Sequence, residues 1–134
     1  MKFIVCNAFS INMLERGGQD VAFVPVNVQA VRNLLKHEAW ESAVGHADTA
    51  ALFSAQLGRE IGFNRISIPS DFFGDVNGRV PYNNQILAGV YSGPSLPEGS
   101  TTLPEGASIQ WVLVTPVKMW GGEWHVAKEH KVTY

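Results

Sequence analysis

The dipeptide Gly45-His46 combines residue types and a position that suit proton transfer to an anion. It lies just before a segment, Ala50 to Leu57, whose apolar residues follow helical spacing and which Gly58 is placed to end. The first amide N–H groups of a helix lack intrahelical partners and carry partial positive charge, so phosphate is stabilised beside them. An imidazole at this position can donate a proton to the bound anion. A histidine that only hydrogen-bonds a neighbour at a helix start explains the same pattern, and this stretch alone favours that simpler interpretation.

Polar residues that suit ligand contact also follow the first apolar run. Asn7 to Leu14 alternates small polar and apolar side chains just past a predicted strand, as in loops that present N–H groups and hydroxyls to a ligand. Ser10 and Asn12 are therefore candidates for phosphate or ribose contact, although an ordinary turn has the same spacing. Arg65 is a candidate for a phosphate contact or for a surface carboxylate.

Two Leu-Pro-Glu-Gly tetrapeptides, at 96–99 and 103–106, predict a pair of rigid turns. Such turns hold Glu98 and Glu105 in fixed places without a helix. Both glutamates are equally compatible with solvated turn positions.

The elements that must position these residues are predicted from apolar patterns. We expect a single α/β domain with a mixed sheet flanked by helices, a core at about residues 1–116 and a hairpin-like C-terminal extension at about 117–134. The predicted strands are Met1 to Ala8, Val21 to Val26, Glu60 to Ile68, Gln85 to Tyr91 and Ser108 to Pro116; the predicted first helix is Val28 to Lys36 after an Asn27 cap. Pro25 indicates an edge strand or a strand end.

Composition narrows the function. A chain of 134 residues with a net charge of −2 is unsuited to gripping long nucleic acid through a basic face, but a local pocket for a small anion remains open. Cys6 is the single cysteine, and His125 and His130 lack helical metal-ligand spacing, so we expect neither a disulfide nor a metal site. No apolar run has membrane-spanning length and no signal-peptide core is present, which predicts a cytoplasmic protein.

Four sequence blocks occur in a recognisable order. They are Asn7-Ala8-Phe9-Ser10-Ile11-Asn12-Met13, Glu41-Ser42-Ala43-Val44-Gly45-His46 with Thr49-Ala50, Gly58 followed by Asn64-Arg65-Ile66, and Leu96-Pro97-Glu98-Gly99. In this order they resemble the viral and plasmid-borne ring nuclease family, the anti-CRISPR proteins that degrade the cyclic tetra-adenylate of type III CRISPR defence. The resemblance covers roughly the first four fifths of the chain.

The resemblance implies a homodimer that binds cyclic tetra-adenylate across its interface, without a metal or other cofactor. A ribose 2′-hydroxyl of the substrate attacks the adjacent phosphodiester, His46 acts as general acid on the departing 5′-oxygen, and Glu98 assists catalysis. Because Glu105 repeats the motif, either glutamate is a candidate. The resemblance implies substrate contacts from Asn7, Phe9, Ser10, Ile11, Asn12, Gly45, Thr49, Arg65 and Ser95.

Ser95 departs from the family pattern, which commonly has arginine three residues before the Pro-Glu-Gly glutamate. An arginine there would neutralise phosphate charge and stabilise the transition state by about a few kcal/mol. Two functions therefore stay open: a ring nuclease, and a protein that sequesters a cyclic nucleotide with little or no cleavage.

Overall fold

The computed structural model describes residues 2–7, 20–66, 68, 72–73, 84–96, 100–120 and 123–126. Eight elements follow in chain order: β1 (Lys2–Cys6), β2 (Asp20–Val26), α1 (Val28–His37), β3 (Ala39–Ser42), α2 (Ala47–Leu57), β4 (Gln85–Ser92), β5 (Ser108–Trp120) and β6 (Glu123–Val126). Neither helix has the length and apolar composition required to cross a membrane.

The strands form one mixed sheet in the order β2-β5-β4-β1-β3, with β6 paired to the far end of β5. β1 pairs in parallel with β3 and β4, whereas β5 is antiparallel to β4, β2 and β6. Strands β1, β2, β3 and β4 therefore all point the same way. This confirms the predicted α/β class, and the edge position of β2 explains why Pro25 is tolerated.

Helix α1 forms where the sequence predicts it. The Asn27 side chain accepts a hydrogen bond of 2.8 Å from the Ala30 amide, a cap that is worth about 1 kcal/mol. Val31, Leu34 and Leu35 recur at helical spacing and are buried against the sheet. Each fully buried side chain of this size contributes about 1.5–3 kcal/mol.

Both helices lie on one face of the sheet. The main hydrophobic core joins side chains of α1 and α2 to those of β1, β4 and β5, whereas a smaller core on the opposite face contains Cys6, Phe72 and Phe73. Helix α2 approaches β4 closely at Gly89, since a β-carbon there would lie 2.6 Å from Cζ of Phe53 and 2.8 Å from the Trp111 ring. The absent side chain of Gly89 thus fixes the distance of α2 from the sheet.

The predicted strand Glu60 to Ile68 is wrong. Residues 60–66 form a loop with a single parallel bridge, Val44 to Phe63. Arg65 and Ile66 are both exposed, whereas consecutive residues of a half-buried strand would face opposite ways. This loop is held by hydrogen bonds to residues 42–44 rather than by a strand ladder, so its alternating sequence does not form a strand.

Two further boundaries differ from the prediction. Strand β3 was not predicted, since four residues at a sheet edge carry too short a pattern to separate from a loop. Strand β5 continues through Pro116 to Trp120, beyond its predicted end. Pro116 is paired to Val21 of β2, and it interrupts neither the β4 ladder, which ends at Val114, nor the β6 ladder, which starts at Val117. The predicted C-terminal hairpin is confirmed, with Trp120 paired to Glu123.

Candidate active site

One edge of the sheet collects the carboxyl ends of the four strands that point the same way. Asn7 follows β1, Asn27 follows β2, the Ala43–His46 segment follows β3, and Gly93 follows β4. In α/β sheets the crevice outside such an edge is where ligands usually bind. The topology therefore places Asn7 and the histidine block of the sequence at one edge, as the ligand-site hypothesis requires.

His46 is in the N-cap position of α2, directly before its first residue, Ala47. Its backbone is extended, with φ −132° and ψ 127°, and its carbonyl accepts the first helical hydrogen bond from the Ala50 amide at 3.0 Å. Its exposed side chain makes no capping hydrogen bond. The imidazole is therefore not committed to the helix cap, and it lies beside first-turn amides that no cap side chain occupies.

A loop formed by residues 62–66, here called the anchor loop, lies against the segment that leads to His46. Ser42 Oγ donates to the Gly62 carbonyl at 2.6 Å and accepts from the Val44 amide at 3.2 Å. Asn64 donates from its side chain to the Ser42 carbonyl at 2.8 Å and from its backbone to the Val44 carbonyl at 2.9 Å. These bonds fix the anchor loop relative to the start of α2.

Arg65 is the cation that the anchor loop brings to this site. Its Cγ lies 3.6 Å from the position that a β-carbon at Gly45 would occupy, which is an ordinary van der Waals distance. Gly45 is therefore not required by crowding inside the chain. Asp48 in the first turn of α2 has the opposite charge, and stabilises the helix N-terminus while opposing a bound anion. Arg65 and the helix amides are thus the positively polarised groups at this site.

The structure brings together four of the predicted site residues: Gly45, His46, Thr49 and Arg65. Thr49 is half-buried in the first turn of α2. Asn7, at the end of β1, is half-buried at the same sheet edge. Phe9, Ser10, Ile11, Asn12 and Glu98 lie outside the described residues, so their predicted roles stay predictions.

Ser95 is exposed on the connection from β4 to β5. β4 continues four residues beyond Ala88, the partner of Cys6, which carries this connection about 13 Å past the end of β1.

In the second tetrapeptide, the Ala107 amide bonds to the Pro104 carbonyl at 3.0 Å and Gly106 has φ 80°. That rigid turn is confirmed, and Glu105 is exposed on it.

A second concavity lies at the same sheet edge, near the start of α1. It is an open cavity of about 630 Å³ lined by residues of β2, α1, α2 and β5, including Asn27, Gln56 and Trp111. None of the described residues that line it is charged. A phosphate ligand is better matched by the His46 region, where Arg65 supplies a positive charge.

Sequence reasoning missed Ser42, Asn64 and Phe63. The hydrogen bonds of Ser42 and Asn64 join residues about twenty positions apart, which no local pattern predicts. Phe63 was assigned to a strand, whereas its side chain is 57% exposed beside the site. Among the described residues, no three His, Cys, Asp or Glu side chains are grouped so as to hold a metal ion.

The fold and the site define a mixed α/β protein with a candidate anion site at the carboxyl edge of its parallel strands. The chain belongs to the STIV B116-like family, whose model matches residues 3–75. Its fold is similar to that of B116 of Sulfolobus turreted icosahedral virus, with a TM-score of 0.62 and 20% identity over 85% of this chain and 98% of that chain. No curated protein matches the sequence significantly. The family is named for a viral protein, and neither match names a ligand or a reaction.

Proposed function

We propose that this chain is a viral ring nuclease that opens cyclic tetra-adenylate without a metal ion and so acts as an anti-CRISPR protein in the host cytoplasm. The observation that carries the proposal is the placement of His46. Its imidazole is exposed at the N-terminus of α2, is not used as a helix cap, and has Arg65 packed beside the preceding glycine. A proton donor, a cation on the adjoining loop and the first amides of a helix suit the cleavage of a phosphodiester.

The reaction transfers a phosphoryl group within the substrate. A ribose 2′-oxygen forms a bond to the adjacent phosphorus, and the bond from that phosphorus to the 5′-oxygen breaks. Glu98 accepts the proton of the 2′-hydroxyl, and the protonated His46 donates a proton to the departing 5′-oxygen. Each cleavage leaves a 2′,3′-cyclic phosphate and a free 5′-hydroxyl.

The remaining site residues serve binding. Arg65 and the first amides of α2 balance the charge that develops on the phosphate oxygens. Asn7 is at the same edge and is assigned, with Thr49, to ribose or phosphate contacts. A homodimer is proposed because a cyclic tetranucleotide has two equivalent halves, and a two-fold axis offers the same residues to each.

A second function, sequestration of the cyclic nucleotide with little cleavage, is favoured by one observation. Ser95 is exposed and uncharged where the family resemblance expects arginine. Without that charge the protein retains Arg65 for binding but has less stabilisation of the transition state.

Single-turnover cleavage of labelled cyclic tetra-adenylate, with protein in excess and chelator present, tests the proposal. We expect linear products from the wild-type protein and none above background from His46→Ala. His37→Ala is the matched control, because His37 is also exposed but lies at the C-terminal end of α1.

The outcomes separate the functions. Cleavage that survives His46→Ala would overturn the assignment of the general acid. Tight binding without products establishes the sequestering function instead, and absence of binding removes both.

A further inference from the structure

Phe63 is an exposed aromatic residue in the anchor loop. Its side chain is 57% exposed, and its backbone forms the bridge to Val44, two residues before His46. Exposing a large apolar ring forfeits the stabilisation that its burial would supply. The anchor loop nevertheless holds this ring at the site through the bonds of Ser42 and Asn64.

Phe63 and Arg65 are exposed near neighbours on the anchor loop. Asn64 lies between them, and its side chain is committed to the Ser42 carbonyl. The Ile66 amide bonds to the Asn64 carbonyl at 3.1 Å, so the backbone turns at Arg65. Phe63 and Arg65 thus stand two residues apart beside the segment that leads to His46.

We propose that Phe63 is the stacking surface for one purine base of the nucleotide ligand, an inference that rests on the proposed function of the same site. A nucleotide presents a flat base and a charged phosphate a short distance apart, and the anchor loop carries an exposed aromatic ring, Phe63, two residues from the guanidinium of Arg65. Stacking on an aromatic ring strengthens binding about five-fold to one-hundred-fold for each base. The anchor loop thus binds base and phosphate while His46 supplies the proton.

The test measures binding of cyclic tetra-adenylate in a His46→Ala background, where the ligand stays intact. Adding Phe63→Ala or Phe63→Leu is expected to weaken binding at least five-fold, because leucine keeps apolar bulk but has no ring. Phe63→Tyr is expected to stay within about three-fold, since it keeps the aromatic face. Phe23→Ala is the matched control, because Phe23 is 54% exposed on β2.

The results distinguish this inference from the proposed function. If His46→Ala binds the ligand and Phe63→Ala binds it equally well, the stacking role is overturned and the proposed function stands. If weaker binding accompanies dissociation of a dimer in sedimentation, Phe63 is a subunit contact and the inference is likewise overturned. If no variant binds and the wild type does not, the proposed function fails and the inference fails with it.

Discussion

At the scale of single residues, Ser42 joins the anchor loop to the segment that leads to His46. It is 8% exposed, and its hydroxyl joins the Gly62 carbonyl to the Val44 amide. In Ser42→Ala the buried Val44 amide loses this partner, so we expect the free energy of unfolding to fall by about 1–3 kcal/mol. Urea denaturation measures the loss. Ser92→Ala, at an exposed position, is expected to change stability by less than about 0.5 kcal/mol.

Ser42→Ala should also affect cleavage, separately from its effect on the free energy of unfolding. The anchor loop carries Arg65 and is held through Ser42, so Ser42→Ala should also slow cleavage at temperatures where the protein is fully folded. Wild-type cleavage by a folded Ser42→Ala protein would mean that the anchor loop does not position the reacting groups.

Ser95 is an exposed position at which an arginine should raise the rate of cleavage. Because Ser95 is exposed, Ser95→Arg requires no repacking and adds a charged donor where the family resemblance expects one. We expect the single-turnover rate to rise about ten-fold or more, since a well-placed donor to a developing charge is worth a few kcal/mol. Ser92→Arg adds the same charge three residues earlier and should change the rate much less.

An equal gain from both arginines would point to general attraction of the anionic ligand rather than to a specific contact. Raising the salt concentration distinguishes the two, because a general attraction is screened.

At the scale of elements, the sequence predicts those that have a complete local pattern. The apolar runs of β1 and β4, the cap at Asn27 and the left-handed Gly58 at the end of α2 are all local signals, and each is confirmed. His46 was likewise placed at a helix start from its neighbours alone.

The elements that were missed depend on contacts between distant parts of the chain. β3 is short and lies at the sheet edge, where it forms ladder bonds only with β1 in the described part of the chain. The anchor loop is held by hydrogen bonds to Ser42 and Val44, which lie about twenty residues earlier in the chain. These bonds are not visible in the local sequence, whose alternation predicts a strand instead. Arg65 lies near Gly45 and His46 because tertiary hydrogen bonds join Gly62 and Asn64 to the segment before α2.

Gly89 allows α2 to pack closely against the sheet. A β-carbon at this position would overlap Phe53 and Trp111, whose rings pack 4.8 Å apart between centroids. Gly89→Ala is expected to lower the free energy of unfolding by about 1–3 kcal/mol, because these two rings must move within a packed core. Chemical denaturation measures it.

Gly62→Ala is the matched control, because no atom lies within 4 Å of its added β-carbon. Equal stability of the two variants would mean that α2 does not depend on close contact with the sheet at Gly89. Since α2 carries His46 at its first end, Gly89→Ala should slow cleavage as well.

At the scale of the whole molecule, net charge and ligand charge have the same sign. The chain has a net charge of −2, so attraction for an anionic ring must come from charges concentrated at the site. Each subunit of the proposed dimer contributes one Arg65 and one start of α2. The ring then meets two positively polarised places related by the two-fold axis, which suits a ligand with two equivalent halves.

Each phosphate site of the proposed dimer is expected to be complete within one subunit. Arg65 packs beside Gly45 of its own chain, so His46 and Arg65 should serve the same phosphate from the same subunit. Mixed dimers of His46→Ala and Arg65→Ala then contain no intact site, and mixing the two inactive proteins should restore no cleavage.

If Arg65 instead served the partner's site, random mixing would leave about a quarter of the sites intact and restore activity in proportion. Native mass spectrometry of the mixture is the control for subunit exchange, and about half of the dimers should contain one chain of each variant. Restored cleavage in the mixture of the two variants would therefore place the phosphate between subunits, with His46 acting on a group that the other chain holds.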